Sequence, residues 1–183
     1  VKREALLAGV IVLAGCGSTK HAVSTTTTTT PAVPKPAAAM QSLIATQATY
    51  KGGTVKTLYQ GTSWSVVQVT KGSAAEAVAF ELLGNRWKPD TSKNVKVEIL
   101  GPQPGAKAAK LPQVAIQITS PAPFVESALW VDGTELIEKG GGTPTRGTIY
   151  GAPAKNLKPG LHVAVGYART ATTGTAVAWV FHV

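Results

Sequence analysis

Apolar and polar residues alternate along much of the chain, and that alternation predicts strands. Val95, Val97 and Ile99 alternate with Lys96 and Glu98, and Val114, Ile116 and Ile118 with Ala115, Gln117 and Thr119. A strand sends successive side chains to opposite faces, so such segments bury one face and wet the other. The same reading puts Val177, Trp179, Phe181 and Val183 on one face of a last strand over residues 175–183. Further strands are expected at residues 54–59, 63–70 and 76–83, and around Arg86-Trp87-Lys88 after a Gly84-Asn85 turn. Residues 37–50 follow another period. Met40, Leu43 and Ile44 recur at helical spacing and predict a short amphipathic helix ended by Gly52-Gly53.

Punctuation between these runs divides the chain. Gly101-Pro102-Gln103-Pro104-Gly105 cannot continue a strand ladder and marks the expected domain boundary, with a single helical turn over residues 106–110 behind it. Residues 127–131 run into Asp132-Gly133, a favoured hairpin turn because both residues tolerate positive φ. Gly140-Gly141-Gly142 reads as a loop, and residues 148–150 as a strand that pairs after it.

One strand breaks the half-wet rule. Over residues 161–168, Leu161, Val163, Val165 and Tyr167 share one face and His162, Ala164, Gly166 and Ala168 the other, and neither face is polar. A sandwich strand normally keeps a wet side. The second face is therefore expected to be covered, either by residues 41–100 or by a partner protein. Trp130 points away from Leu129 and Val131, which leaves it facing outward. The candidate partner-facing residues are Trp130, Val163, Val165 and Tyr167.

The segment Leu157-x-x-Gly160-x-His162 before a strand, followed by Gly174-x-Ala176-x-Ala178-Trp179-x-Phe181, resembles bacterial immunoglobulin-like modules. The resemblance covers residues 112–183 and implies a seven-stranded sandwich used as a spacer or an adhesive unit. The expected fold class is mainly β: a small antiparallel α+β meander over residues 40–101, then an Ig-like β-sandwich over residues 112–183.

The N-terminus carries a different signal. Lys2-Arg3, an apolar run from Ala5, and Leu13-Ala14-Gly15-Cys16 resemble the lipobox of bacterial lipoproteins. The apolar run is shorter than the ~20 residues a membrane-crossing helix needs. The resemblance implies a signal peptide over residues 1–15, cleavage between Gly15 and Cys16, and a lipid on Cys16 that holds the protein on the extracytoplasmic face of a cell membrane. Residues 16–39, with six threonines at positions 25–30 and Pro31, Pro34 and Pro36, read as a disordered tether.

Composition narrows the chemistry. The chain has 18 Lys and Arg against nine Asp and Glu, a net charge of +9. That favours anionic headgroups or wall polymers, while the lack of any dense basic cluster argues against nucleic acid. With one cysteine, no internal disulfide can form. Of three histidines, His21 lies in the tether, His182 is expected at the surface, and His162 is expected to bond nearby backbone at its turn. His162 and His182 without cysteines or an acidic cluster make no metal site. Ser63 and Ser65 flank Trp64 without a nucleophile elbow, Lys139 to Thr143 lacks a phosphate-loop ending, and Glu135 with Glu138 makes only a speculative acid–base pair. Trp64, Trp87, Trp130 and Trp179 offer either core anchors or a sugar-stacking platform, and core anchoring is the stronger reading.

The function expected is thus non-catalytic, without cofactor or metal. It is that of a lipid-anchored envelope protein for binding, adhesion or scaffolding, through an envelope protein or an anionic wall polymer. The alternative is a solute- or glycan-binding lipoprotein with its site between the two domains.

Overall fold

The computed structural model describes residues 32–183, so Gly15, Cys16, the signal segment and most of the expected tether lie outside the described residues. Helix α1 (Pro36–Ile44) starts with proline in its first turn, where the missing N–H has no partner to lose. It buries Pro36, Met40 and Ile44 on one side. The helix is shorter than its periodicity predicts: the chain turns over residues 45–53 before the first strand.

Four strands follow as an antiparallel meander sheet in the order β1 (Thr54–Gln60), β2 (Trp64–Lys71), β3 (Ala74–Leu83), β4 (Arg86–Pro89). Val67, Val69, Phe80 and Trp87 of this sheet pack against Met40 and Ile44 of α1. The other face carries Trp64, Val66, Ala77 and Ala79. Both faces are covered, which is why β2 is buried along nearly its whole length.

The remaining strands build a sandwich. They are β5 (Lys96–Gly101), β6 (Val114–Thr119), β7 (Glu126–Val131), β8 (Thr134–Glu135), β9 (Lys139–Thr143), β10 (Arg146–Gly151), β11 (Leu161–Arg169) and β12 (Gly174–His182). An outer sheet runs β5-β6-β10-β9 and a central sheet β12-β11-β7-β8, all pairs antiparallel. That order corresponds to strands ABED against GFC with one added edge strand, the immunoglobulin arrangement.

The expected boundary at residues 101–105 is corrected. β5 belongs to the sandwich rather than the meander: it pairs with β6 across the Gly/Pro segment. Beyond that segment the chain crosses to the central sheet, where Gly105 and Ala108 N–H donate to the carbonyls of Val180 and His182. The helical turn expected over residues 106–110 is replaced by this pairing, with a parallel bridge between Lys107 and His182. A strand that switches sheets must break its ladder, and the residues that allow the break are those of a linker. The described residues fall in one unit.

Three apolar clusters define four layers: α1, the meander sheet, the central sheet and the outer sheet. The seam between meander and central sheets is lined by Ala77 and Ala79 on one side and Ala128, Ala176 and Ala178 on the other. Small side chains let β3 and β12 approach within 8 Å, Cα to Cα, closer than the ~10 Å usual for stacked sheets. The segment joining β4 to β5 passes the free edge of β12 and is tied there: Gly174 N–H donates to Asp90 Oδ2 at 2.7 Å and Thr175 Oγ1 to the Val95 carbonyl at 2.8 Å.

The loop expected at Gly140-Gly141-Gly142 is corrected as well. These residues form β9, an exposed edge strand paired to β10. Gly142 has φ 140°, and a Cβ there would strike the Arg146 carbonyl. Backbone geometry alone makes this strand, which is why no apolar pattern announced it.

β11 lies at the centre of the stack. Its small face, with Ala164 and Ala168, meets the outer sheet, and a Cβ on Gly166 would sit 2.9 Å from Ile116 Cδ1. Gly166→Ala should therefore destabilise by about 1–3 kcal/mol, the range for overpacking, because Ile116 Cγ2 is also 3.0 Å away and turning the tip aside does not relieve it; urea unfolding checks this.

Candidate functional site

The residues expected to face a partner are corrected by the covering of β11. Trp130, Val165 and Tyr167 are buried, and the partly buried Val163 packs against the same cluster. All of them meet the chain's own meander sheet. The alternation of Trp130 against Leu129 and Val131 is as the pattern requires: the latter two enter the sandwich core and Trp130 enters the seam. All four tryptophans are buried, so none offers a stacking platform.

At one end of the seam, Arg169 Nε donates to Glu126 Oε2 at 2.6 Å and its guanidinium stands 5.9 Å from the centre of the Trp64 ring. Tyr59 and Tyr167 stack at 6.1 Å between ring centroids beside this pair. Burial, then the Glu126 charge, hold the Tyr167 phenol far above its ordinary range. The cluster joins β1, β2, β7 and β11 and acts as a clasp between the two sheets.

At the opposite end of β11, on the strand's other face and against Phe181 of the sandwich core, stands His162. It heads β11, where the immunoglobulin fold often places a tyrosine that bonds back to upstream backbone. Nε2 lies 2.7 Å from the Lys158 carbonyl and Nδ1 2.7 Å from Asp132 Oδ2. A carbonyl and a carboxylate only accept, so the ring donates from both nitrogens as an imidazolium. Burial pulls its pKa down, but the Asp132 carboxylate and the Lys158 carbonyl outweigh it, and the net shift is upward. Asp132 also accepts from Val163 N–H at 3.0 Å and sits at φ 51°, in the turn where positive φ was expected. His182 faces solvent, and its register opposite Leu161 sends it to the other face from His162. Among the described residues no group of three or more His, Cys, Asp or Glu is placed to hold a metal.

The other polar candidates resolve into structural contacts. Ser65 Oγ donates to the Tyr59 carbonyl at 2.7 Å. Glu138 turns inward, 3.4 Å from Ser127 Oγ; burial first, and then the like charge of Glu135, push its carboxyl up against the pull of its hydrogen bonds. Glu135 stays exposed.

A roomy recess lies beside Asp132, the partner of His162. It has a volume of about 550 Å³, within the range of ligand sites, and opens between the β7–β8 hairpin and the loop from β10 to β11. Val131, Leu136, Ile137, Pro153 and Leu157 line it, with Asp132, Glu135 and Lys155 as its charged neighbours. Ile137 is 88% exposed, the most exposed large apolar side chain among the described residues. Leu136-Ile137 between Glu135 and Glu138 was the visible signal for this site: two adjacent apolar residues in a strand-like segment cannot both turn inward.

No protein-family model and no curated protein sequence matches the chain. Among the described residues no helix is long and apolar enough to cross a membrane.

Proposed function

We propose that the chain is a non-catalytic binding module of a bacterial cell envelope, tethered through a lipid on Cys16, and that it contacts an envelope protein through the recess beneath Ile137. The observation that carries this reading is Ile137 at the edge of an apolar recess, far more exposed than any other large apolar side chain among the described residues. Its apolar lining suits an inserted protein side chain better than a wall polymer of repeating hydroxyls and charges. The lipobox resemblance of Leu13-Ala14-Gly15-Cys16 supports the tether.

Two variants test the two halves separately. Cys16→Ser should move the protein from the membrane pellet to the soluble fraction; a variant that still pellets overturns the tether. Ile137→Asp should stay in the membrane and keep its stability within about 0.5 kcal/mol, as surface changes do, yet lose its crosslinked envelope protein on intact cells. An unchanged crosslinked species overturns the recess as the contact.

A further inference from the structure

A second opening lies at the seam, on the side of Asp132 away from the recess. It has a volume of about 210 Å³ and is lined by Thr54, Lys56, Gln68 and Thr70 of the meander sheet and by Asp132 and Val163 of the central sheet. Gln68 is 6% exposed, and its Oε1 is buried with no hydrogen-bond partner among the described residues. The pattern of β2 puts Gln68 on the same face as Trp64 and Val66, at the edge of the apolar seam and directly opposite Lys56 of β1. An unpaired buried amide is costly, and native structures hold few such groups. An apolar residue of the same length would remove that cost, so the amide at this position calls for a partner.

The opening also presents a cation. Lys56 Nζ reaches over it to the carbonyls of Gly133 at 3.3 Å and Asp132 at 3.5 Å. Neither ion pair found among the described residues involves it. The carboxylate that lines the opening, Asp132, is already engaged by Val163 N–H and His162 Nδ1. As placed, none of the donors lining the opening bonds Gln68 Oε1, and Lys56 has no ion-pair partner among the described residues. The threonine hydroxyls can both give and accept.

We infer that this opening binds a single hydroxylated, carboxylate-bearing sugar ring. The carboxylate would meet the Lys56 ammonium, and a ring hydroxyl would donate to Gln68 Oε1. At about 210 Å³ the opening is smaller than the sites that take drug-sized ligands, which limits its occupant to about a single ring. The site is separate from the recess and does not depend on the protein contact proposed there.

The test is an NMR titration of the full chain in detergent micelles with D-glucuronate, with D-glucose, and with an oligosaccharide containing internal glucuronate. The Gln68 side-chain amide, assigned by its disappearance in Gln68→Met, should shift saturably with glucuronate and about tenfold more weakly with glucose. Lys56→Met should bring glucuronate down to the level of glucose. Gln68→Met should abolish binding while its thermal midpoint holds or rises, since the unpaired amide is gone. A free monosaccharide as natural ligand predicts that the oligosaccharide is excluded, and a polymer unit predicts that it binds at least as well. Absence of any saturable shift, equal binding of glucose and glucuronate, or undiminished binding by Gln68→Met overturns the inference. A lowered midpoint in Gln68→Met without sugar binding to the wild type would mark a site for ordered water alone, and also overturns it.

Discussion

Trp130→Ala is expected to destabilise the protein by about 3–5 kcal/mol, the range for removing a large buried aromatic. Trp130 is 2% exposed and leaves the central sheet into the seam, 6.4 Å from the Tyr167 ring between centroids. The alanine would leave a cavity that the seam cannot close, because β3 and β12 already touch through alanines. The effect should also be global. The central sheet is one wall of the seam and one wall of the sandwich core, so the loss should lower a single midpoint for the meander and the sandwich together. Denaturant unfolding followed by far-UV circular dichroism and by tryptophan fluorescence checks this. Two separated transitions would mean that the layers fold independently.

His162→Ala should cost about 3 kcal/mol, because two charge-assisted hydrogen bonds are lost and the buried ring leaves Phe181, 5.7 Å away. Its contribution depends on pH. An unfolded imidazole titrates near 6.5, and the folded one is raised above that. Below about pH 6.5 both states hold the proton and the full stabilisation is present. As pH rises through the raised folded value, the folded ring loses its proton and one of its two donors, and the stabilisation declines. The wild-type thermal midpoint should fall over that window relative to His162→Ala. A midpoint difference constant from about pH 5.5 to 8.5 would contradict the imidazolium assignment.

Much of the fold was legible in the alternation of residues. Val114-Ile116-Ile118 reads correctly because it has one covered face and a repeat of two, and Val177-Trp179-Phe181 because its large side chains share the core face while only the alanines between them meet the seam. The doubly apolar β11 announced that something covers its second face, and the cover is the meander sheet. Periodicity says that a face is buried but not by what, and this is why Trp130, Val165 and Tyr167 looked available to a partner. Residues 101–105 misled for a related reason: glycine and proline interrupt a ladder equally at a linker and at a strand that changes sheets. β9 left no apolar trace because its pairing is all backbone. The recess escaped notice because it is formed by two loops far apart in sequence, with Leu136-Ile137 its only local sign. The Asp132–His162 pair likewise joins residues 30 positions apart, and only their turn placement was visible.

The apolar faces of β11 are closed by the chain itself, and the proposed contact with the envelope passes through Ile137. Photocrosslinking on intact cells tests it most directly, with azidophenylalanine placed once at Ile137 and once at Tyr167, where it differs little from the native ring. The probe at 137 should join the chain to an envelope protein. The probe at 167 should join only peptides of the same chain, those carrying Tyr59 or Trp64. Capture of an envelope protein from position 167, with none from position 137, would contradict the account.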